Sequence, residues 1–154
     1  MSPEFAFNPE AAHAYFSTYC FNTAWELIEK ADRTSADDEA MVRLAHTSIW
    51  HWTQRPDCTP RHLSVGYWQL SRIYSLLGEA ENARRYARLA LEAGEGQGPF
   101  FVGYAYEALA RAEQVAGNEA QKGHYLEQAL RLADEVPDPE EKKLLAADLE
   151  SLQP

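Results

Sequence analysis

The chain has 154 residues and a formal charge of −10, from 14 Lys and Arg against 24 Asp and Glu, which argues against a protein held mainly by nucleic-acid phosphates or an anionic membrane. Its length and its 45% apolar content exclude a disulfide-stapled miniprotein and a disordered chain. No apolar run approaches the roughly 18 residues that span a bilayer, residues 1–5 carry neither a basic nor an apolar signal region, and Cys20 and Cys58 stand in no metal or redox spacing, so the expectation is a soluble, cytoplasmic protein.

Residues 1–58 read as an N-terminal helical hairpin. From Pro9 to about Lys30 the set Phe16, Cys20, Ala24, Leu27 and Ile28 keeps helical spacing, and seven aromatics fall within the first 25 residues; the pattern predicts a strongly packing helix. Thr34 to Asp38 carry turn and N-cap chemistry. A second stripe follows in Met41, Leu44, Ala45, Ser48, Ile49 and Trp52, ending near Arg55, before Pro56.

An internal repeat organises what comes next. Sliding the chain by 39 residues lays Pro60 on Pro99, Tyr67 on Tyr106, Leu70 on Leu109, Arg72 on Arg111, Gly78 on Gly117, Tyr86 on Tyr125, Ala90 on Ala129 and Leu91 on Leu130. Proline suits a first helical turn, glycine a tight inter-helix turn, and the Ala-Leu pair close packing. Each unit, over 59–93 and 99–133, therefore reads as helix, turn, helix. The Leu63, Tyr67, Leu70, Tyr74, Leu77 stripe marks the first of these helices, and Ala80, Ala83, Ala87, Ala90, Leu91 mark the second. Gly94, Gly96 and Gly98 connect the units. After Pro137, Asp138 is placed to cap a last helix, over 138–152, with Leu144, Leu145, Leu149 and Leu152 as its apolar members. The prediction is an all-α chain of about seven helices without strands.

Tyr67, Leu70, Tyr74, Gly78, Ala83, Ala87, Ala90 and Leu91, and less fully Tyr106, Leu109, Gly117, Leu126, Ala129 and Leu130, resemble the tetratricopeptide repeat (TPR) family. Here the period is 39, Glu113 stands where the second aromatic belongs, and Lys122 replaces a small residue. The resemblance implies a single TPR-like domain over 1–154, a solenoid of helical hairpins in a right-handed superhelix with a concave face where many members bind peptides. It further implies that Trp68 with Arg72, and Glu107 with Arg111, line that groove. Trp68 and Arg72 stand four apart and can stack, and Glu107 and Arg111, also four apart, can pair. The arginine run Arg84, Arg85, Arg88 lies among acids and reads as a solvated face.

The leading expectation is a non-catalytic protein- or peptide-binding scaffold with no cofactor and no metal. Its groove comprises Trp68, Arg72, Tyr104, Glu107 and Arg111, and the arginines select an acidic or carboxylate-bearing segment. A second reading is a small-molecule enzyme or sensor with a pocket around residues 46–74, using His46, His51, Cys58, His62 and Tyr74. His46 and His51, five apart, point roughly 140° away from each other on a helix, and no zinc spacing or nucleophile elbow occurs. Self-association through the aromatic N-terminal helix is a third reading.

Overall fold

The computed structural model describes residues 6–154; the reading of residues 1–5 lies outside them. The described residues form seven helices and no strand. None of these helices is long and apolar enough to cross a membrane. The chain divides into two compact units, Met1–Thr59 and Pro60–Pro154.

The first unit is a hairpin of α1 (Pro9–Glu29) and α2 (Ser35–Thr53). Asn8 caps α1 through the backbone N–H of Glu10. Thr34 and Asp37 cap α2 reciprocally, each side chain accepting from the other's backbone N–H. The buried seam sets the small residues Ser17, Cys20 and Ala24 of α1 against Met41, Ala45 and Ser48 of α2. Such a seam lets the backbones approach, and the Ser48 hydroxyl donates to the Ser17 carbonyl at 2.7 Å. Phe16, expected among the packing residues, is instead 42% exposed. It stands one residue, about 100° of helix, from the seam position Ser17.

The second unit holds α3 (Pro60–Leu76), α4 (Ala80–Gly94), α5 (Pro99–Ala116), α6 (Glu119–Glu135) and α7 (Pro139–Glu150). Prolines open α3, α5 and α7, and Asp138 caps α7 through the N–H groups of Glu140 and Glu141. Gly78 and Gly117, equivalent in the repeat, both adopt left-handed φ, 75° and 74°, which closes the α3–α4 and α5–α6 turns at no Cβ cost. Helices α3 and α4 pair, as do α5 and α6; α5 also packs on α3, α4 and α7. Serines hold the α3–α4 seam, Ser64 donating to the Ala90 carbonyl at 3.0 Å and Ser71 to that of Ala83 at 2.9 Å.

Helix α5 is accordingly the most enclosed, with Gly103, Ala105, Glu107, Ala108, Leu109, Ala110, Ala112 and Glu113 all buried. Around it, Ala110, Leu126, Ala129, Ala133, Val136, Leu145, Leu149 and Leu152 form one apolar cluster. Of the four leucines expected to seat the last helix, Leu145, Leu149 and Leu152 are fully buried, whereas Leu144 is 59% exposed, because it stands one helical step off their stripe.

Candidate functional site

Trp68, Arg72, Tyr104, Glu107 and Arg111 come together within the second unit, on α3 and α5. Trp68 and Glu107 occupy equivalent repeat positions and meet across the α3–α5 contact: the indole N–H donates to Glu107 Oε2 at 2.9 Å. Glu107 Oε1 accepts from Arg111 Nε at 2.8 Å and lies 3.4 Å from Arg72 Nη1. The Glu107 carboxylate is fully buried, so it serves as an internal anchor for two arginines and one tryptophan.

Arg111 has a further set of partners. Its Nη2 donates to Ser151 Oγ at 3.0 Å and reaches the Asp148 carbonyl at 3.5 Å, while the Tyr104 hydroxyl donates to Asp148 Oδ2 at 2.7 Å. The end of α7 therefore occupies the side of α5 on which Tyr104 and Arg111 lie. Burial, and then the neighbouring Asp148, push the Tyr104 phenol above its ordinary range, so it stays a neutral donor. Arg72 is less well compensated. Its Nε is buried without a hydrogen-bond partner, and burial, then the nearby Arg111 charge, pull its pKa down.

Next to this network lies a recess of about 180 Å³ lined by Ser64, Val65, Trp68, Phe100, Phe101 and Tyr104. Trp68 meets Tyr104 edge-on at a centroid distance of 5.2 Å, and Tyr104 meets Phe100 likewise at 5.1 Å. The walls are thus interlocked rings. Arg72 stands one helical turn along α3 from Trp68.

One expectation on α4 needs correcting. Arg84 does not sit on a solvated face: its Nε and Nη2 donate to the two oxygens of buried Glu113 at 2.7 and 2.8 Å, and it also pairs with Glu81. This fork accounts for an acid at the position where the repeat pattern wants an aromatic. That hydrogen bond from Arg84 is the main cause that holds the Glu113 carboxyl below its ordinary pKa. Arg85 and Arg88 are exposed.

Among known protein families, curated proteins and solved structures, the chain has no significant match. The functional reading rests on its own residues.

The five residues of the second reading fall into different units, His46, His51 and Cys58 in the first, His62 and Tyr74 in the second. Tyr74 stacks on Tyr86 at 5.6 Å with the ring planes 8° apart. The Cys58 thiol points at the Thr59 carbonyl, 3.8 Å away. Burial, then Asp57, raise its pKa against the opposing pull of Arg55, so the thiol form prevails over the nucleophilic thiolate. Among the described residues no three His, Cys, Asp or Glu are grouped to hold a metal ion.

His51 does line a recess, with a partner that sequence reasoning missed. The α1–α2 hairpin carries a solvent-open recess of about 510 Å³ bounded by residues that include Phe7, His13, Phe16, Tyr19, Trp50 and His51. His13 Nδ1 and His51 Nδ1 are 2.8 Å apart, so one ring donates and the other accepts. The two histidines are 38 residues apart, and no short motif announces them. The available signal was helical: His13 falls four residues before the seam position Ser17, as His51 falls three after Ser48.

This pair makes a pH prediction. Burial, then the proximity of His13, hold the His51 pKa below its ordinary 6.5. The unfolded chain therefore binds more protons than the native one just below that value, and the stability that His51 contributes is lost as pH falls through it. The urea midpoint of the wild type is expected to drop more between pH 7.5 and 5.5 than that of His51→Gln. Parallel pH profiles would show that the ring titrates alike in both states.

Proposed function

We propose that residues 60–154 form a TPR-like binding module that captures a protein or peptide segment, without catalysis or a cofactor, in a soluble and cytoplasmic setting. The observation that carries this reading is the aromatic recess of Trp68, Phe100, Phe101 and Tyr104 beside an under-compensated Arg72. Interlocked rings supply contact area at little entropic cost, and a partly desolvated guanidinium draws a carboxylate. The partner is thus a segment with one apolar side chain for the recess and an acidic group within reach of Arg72.

The solenoid reading, hairpins stacked in a right-handed superhelix, is supported by the direct bond between repeat-equivalent Trp68 and Glu107 and by the matched glycine turns. In it, α7 stands in for the first helix of a further repeat. Glu107 and Arg111 then act as scaffold, holding Trp68 and α7, and partner contact falls to Trp68, Tyr104 and Arg72.

Selection of peptides from a displayed random library on the intact chain tests the proposal. Enriched peptides are expected to share an apolar residue near an acidic one. Val65→Trp, which fills the recess, should weaken them at least tenfold, and Arg72→Gln should erase the acidic preference. Failure to enrich any motif, or equal binding to Val65→Trp at unchanged circular dichroism, would remove the assignment.

A further inference from the structure

We propose that the α1–α2 hairpin carries a binding site for a small aromatic monoanion, its flat ring held among Phe7, Phe16, Tyr19 and Trp50 and its charged group on the His13–His51 pair. The inference is independent of the peptide-binding reading, since every residue involved lies in the first unit.

Size and wall chemistry come first. The site is a recess open to solvent, and its volume of about 510 Å³ falls in the range of small-molecule sites. Its rings are unusually wet for their kind: Phe7 is 60% exposed, Trp50 54%, Tyr19 48% and Phe16 42%. Aromatic surface left uncovered in one place marks a site that gains by covering it. The rings also offer mixed geometry for a flat guest, with Trp50 edge-on to His13 at 5.4 Å and Phe16 tilted on His51 at 5.5 Å.

Charge then selects among aromatic guests. Among the described residues, no carboxylate and no Lys or Arg lines the recess, although the chain carries 24 acids. The bases in its lining are the two imidazoles. The charged groups nearest in sequence are Glu10, one turn before His13 on α1, and Arg55, one turn after His51 beyond α2; Arg55 is held by Asp57 and by the Ser17 hydroxyl. With one proton shared between Nδ1 atoms 2.8 Å apart, the pair is neutral as a base pair of rings. One further proton makes one of the rings an imidazolium, bonded through its Nδ1–H to the other, neutral ring, and gives the pair a single positive charge. Burial of His51 opposes that charge and a bound anion stabilises it, one negative charge balancing the one proton taken up. A monoanion therefore fits, a neutral ring gains only the apolar part, and a cation is opposed.

Titration calorimetry on the full chain, with naphthalene-2-sulfonate and its neutral counterpart naphthalene-2-carboxamide as probes, tests this. At pH 6 the sulfonate is expected to bind one to one and at least tenfold tighter than the amide, losing affinity by up to tenfold per unit as pH rises. The His13→Gln, His51→Gln double variant should bring the two probes within about twofold of each other while the amide is unaffected, and Trp50→Ala should weaken both. Because the double variant perturbs a helix contact, wild-type imidazole nitrogen shifts provide a second readout: sulfonate, and not amide, should move both histidines. Equal affinities, a sulfonate preference that survives the double variant, unmoved imidazole signals, or no binding of either probe each overturn the proposal. So does a concentration-dependent dimer that Trp50→Ala dissolves and that excludes the probes, since a second copy would then cover this face.

Discussion

Replacing Glu107 by alanine is expected to destabilise the protein by about 3–5 kcal/mol, the cost of removing one partner from a buried charge cluster. Glu107 is completely enclosed on α5, while the side chains of Arg72 and Arg111 are 20% and 14% exposed. Its loss leaves two guanidinium groups facing each other without the carboxylate between them and strips the Trp68 N–H of its acceptor. Burial and the Arg111 charge already depress the Arg72 pKa, so the second arginine has no slack to absorb the change. The Glu127–Arg131 pair on α6 is the control. It too is an i, i+4 carboxylate–arginine pair, at 2.9 Å, but 66% and 64% exposed respectively, and Glu127→Ala should cost at most about 1 kcal/mol. Urea unfolding of both variants at pH 7 reads the difference. A Glu107→Ala cost below about 1 kcal/mol would mean that the cluster is hydrated, and the internal-anchor role would fall with it. Adding Arg72→Met and Arg111→Met to Glu107→Ala should recover part of the loss, because no unpaired charge then remains.

What the sequence disclosed follows from the range of its signals. Caps and turns act over a few residues, so Thr34, Asp138, Gly78 and Gly117 could be placed from local chemistry, and the seven helices with them. The repeat carried one longer-range fact, the equivalence of Trp68 with Glu107 and Arg72 with Arg111. It could not say that Glu107 would be sealed between both arginines, because helical spacing gives the face a residue occupies and not the neighbour that closes over it; that neighbour includes Ser151, 40 residues beyond Arg111. Glu113 looked like a defect in the pattern until Arg84, 29 residues earlier, was seen to fork onto it. On α1 the apolar stripe holds at Cys20 and Ala24, both buried in the seam, and fails at Phe16, which in part faces water while its polar neighbour Ser17 takes the seam position. The same seam hid the His13–His51 contact, since residues that permit close approach carry no signal of what they bring together.

The second large effect is expected at Leu145, where truncation to alanine should cost about 2–5 kcal/mol. Leu145 is fully buried and lies against bare backbone: a Cβ added at Gly103 would come within 2.7 Å of Leu145 Cδ2. The absence of a side chain on α5 is therefore filled by a leucine from α7. Collapse after truncation is hindered, because α5 is fixed by packing on α3, α4 and α6, and the residual cavity places the cost in the upper half of that range. Leu144→Ala, one residue away but 59% exposed, should stay within about 0.5 kcal/mol. Thermal or urea unfolding gives the two costs, and equal values would mean that α7 is not docked by this stripe. The loss at Leu145 has a consequence beyond stability. Asp148 and Ser151 reach Tyr104 and Arg111 only while α7 is seated, so amide exchange in Leu145→Ala should quicken along 139–152 well before it quickens in α3. The Tyr104 hydroxyl, released from Asp148, would then turn toward the recess, which makes the α7 stripe the element that sets how much of Tyr104 a bound segment meets.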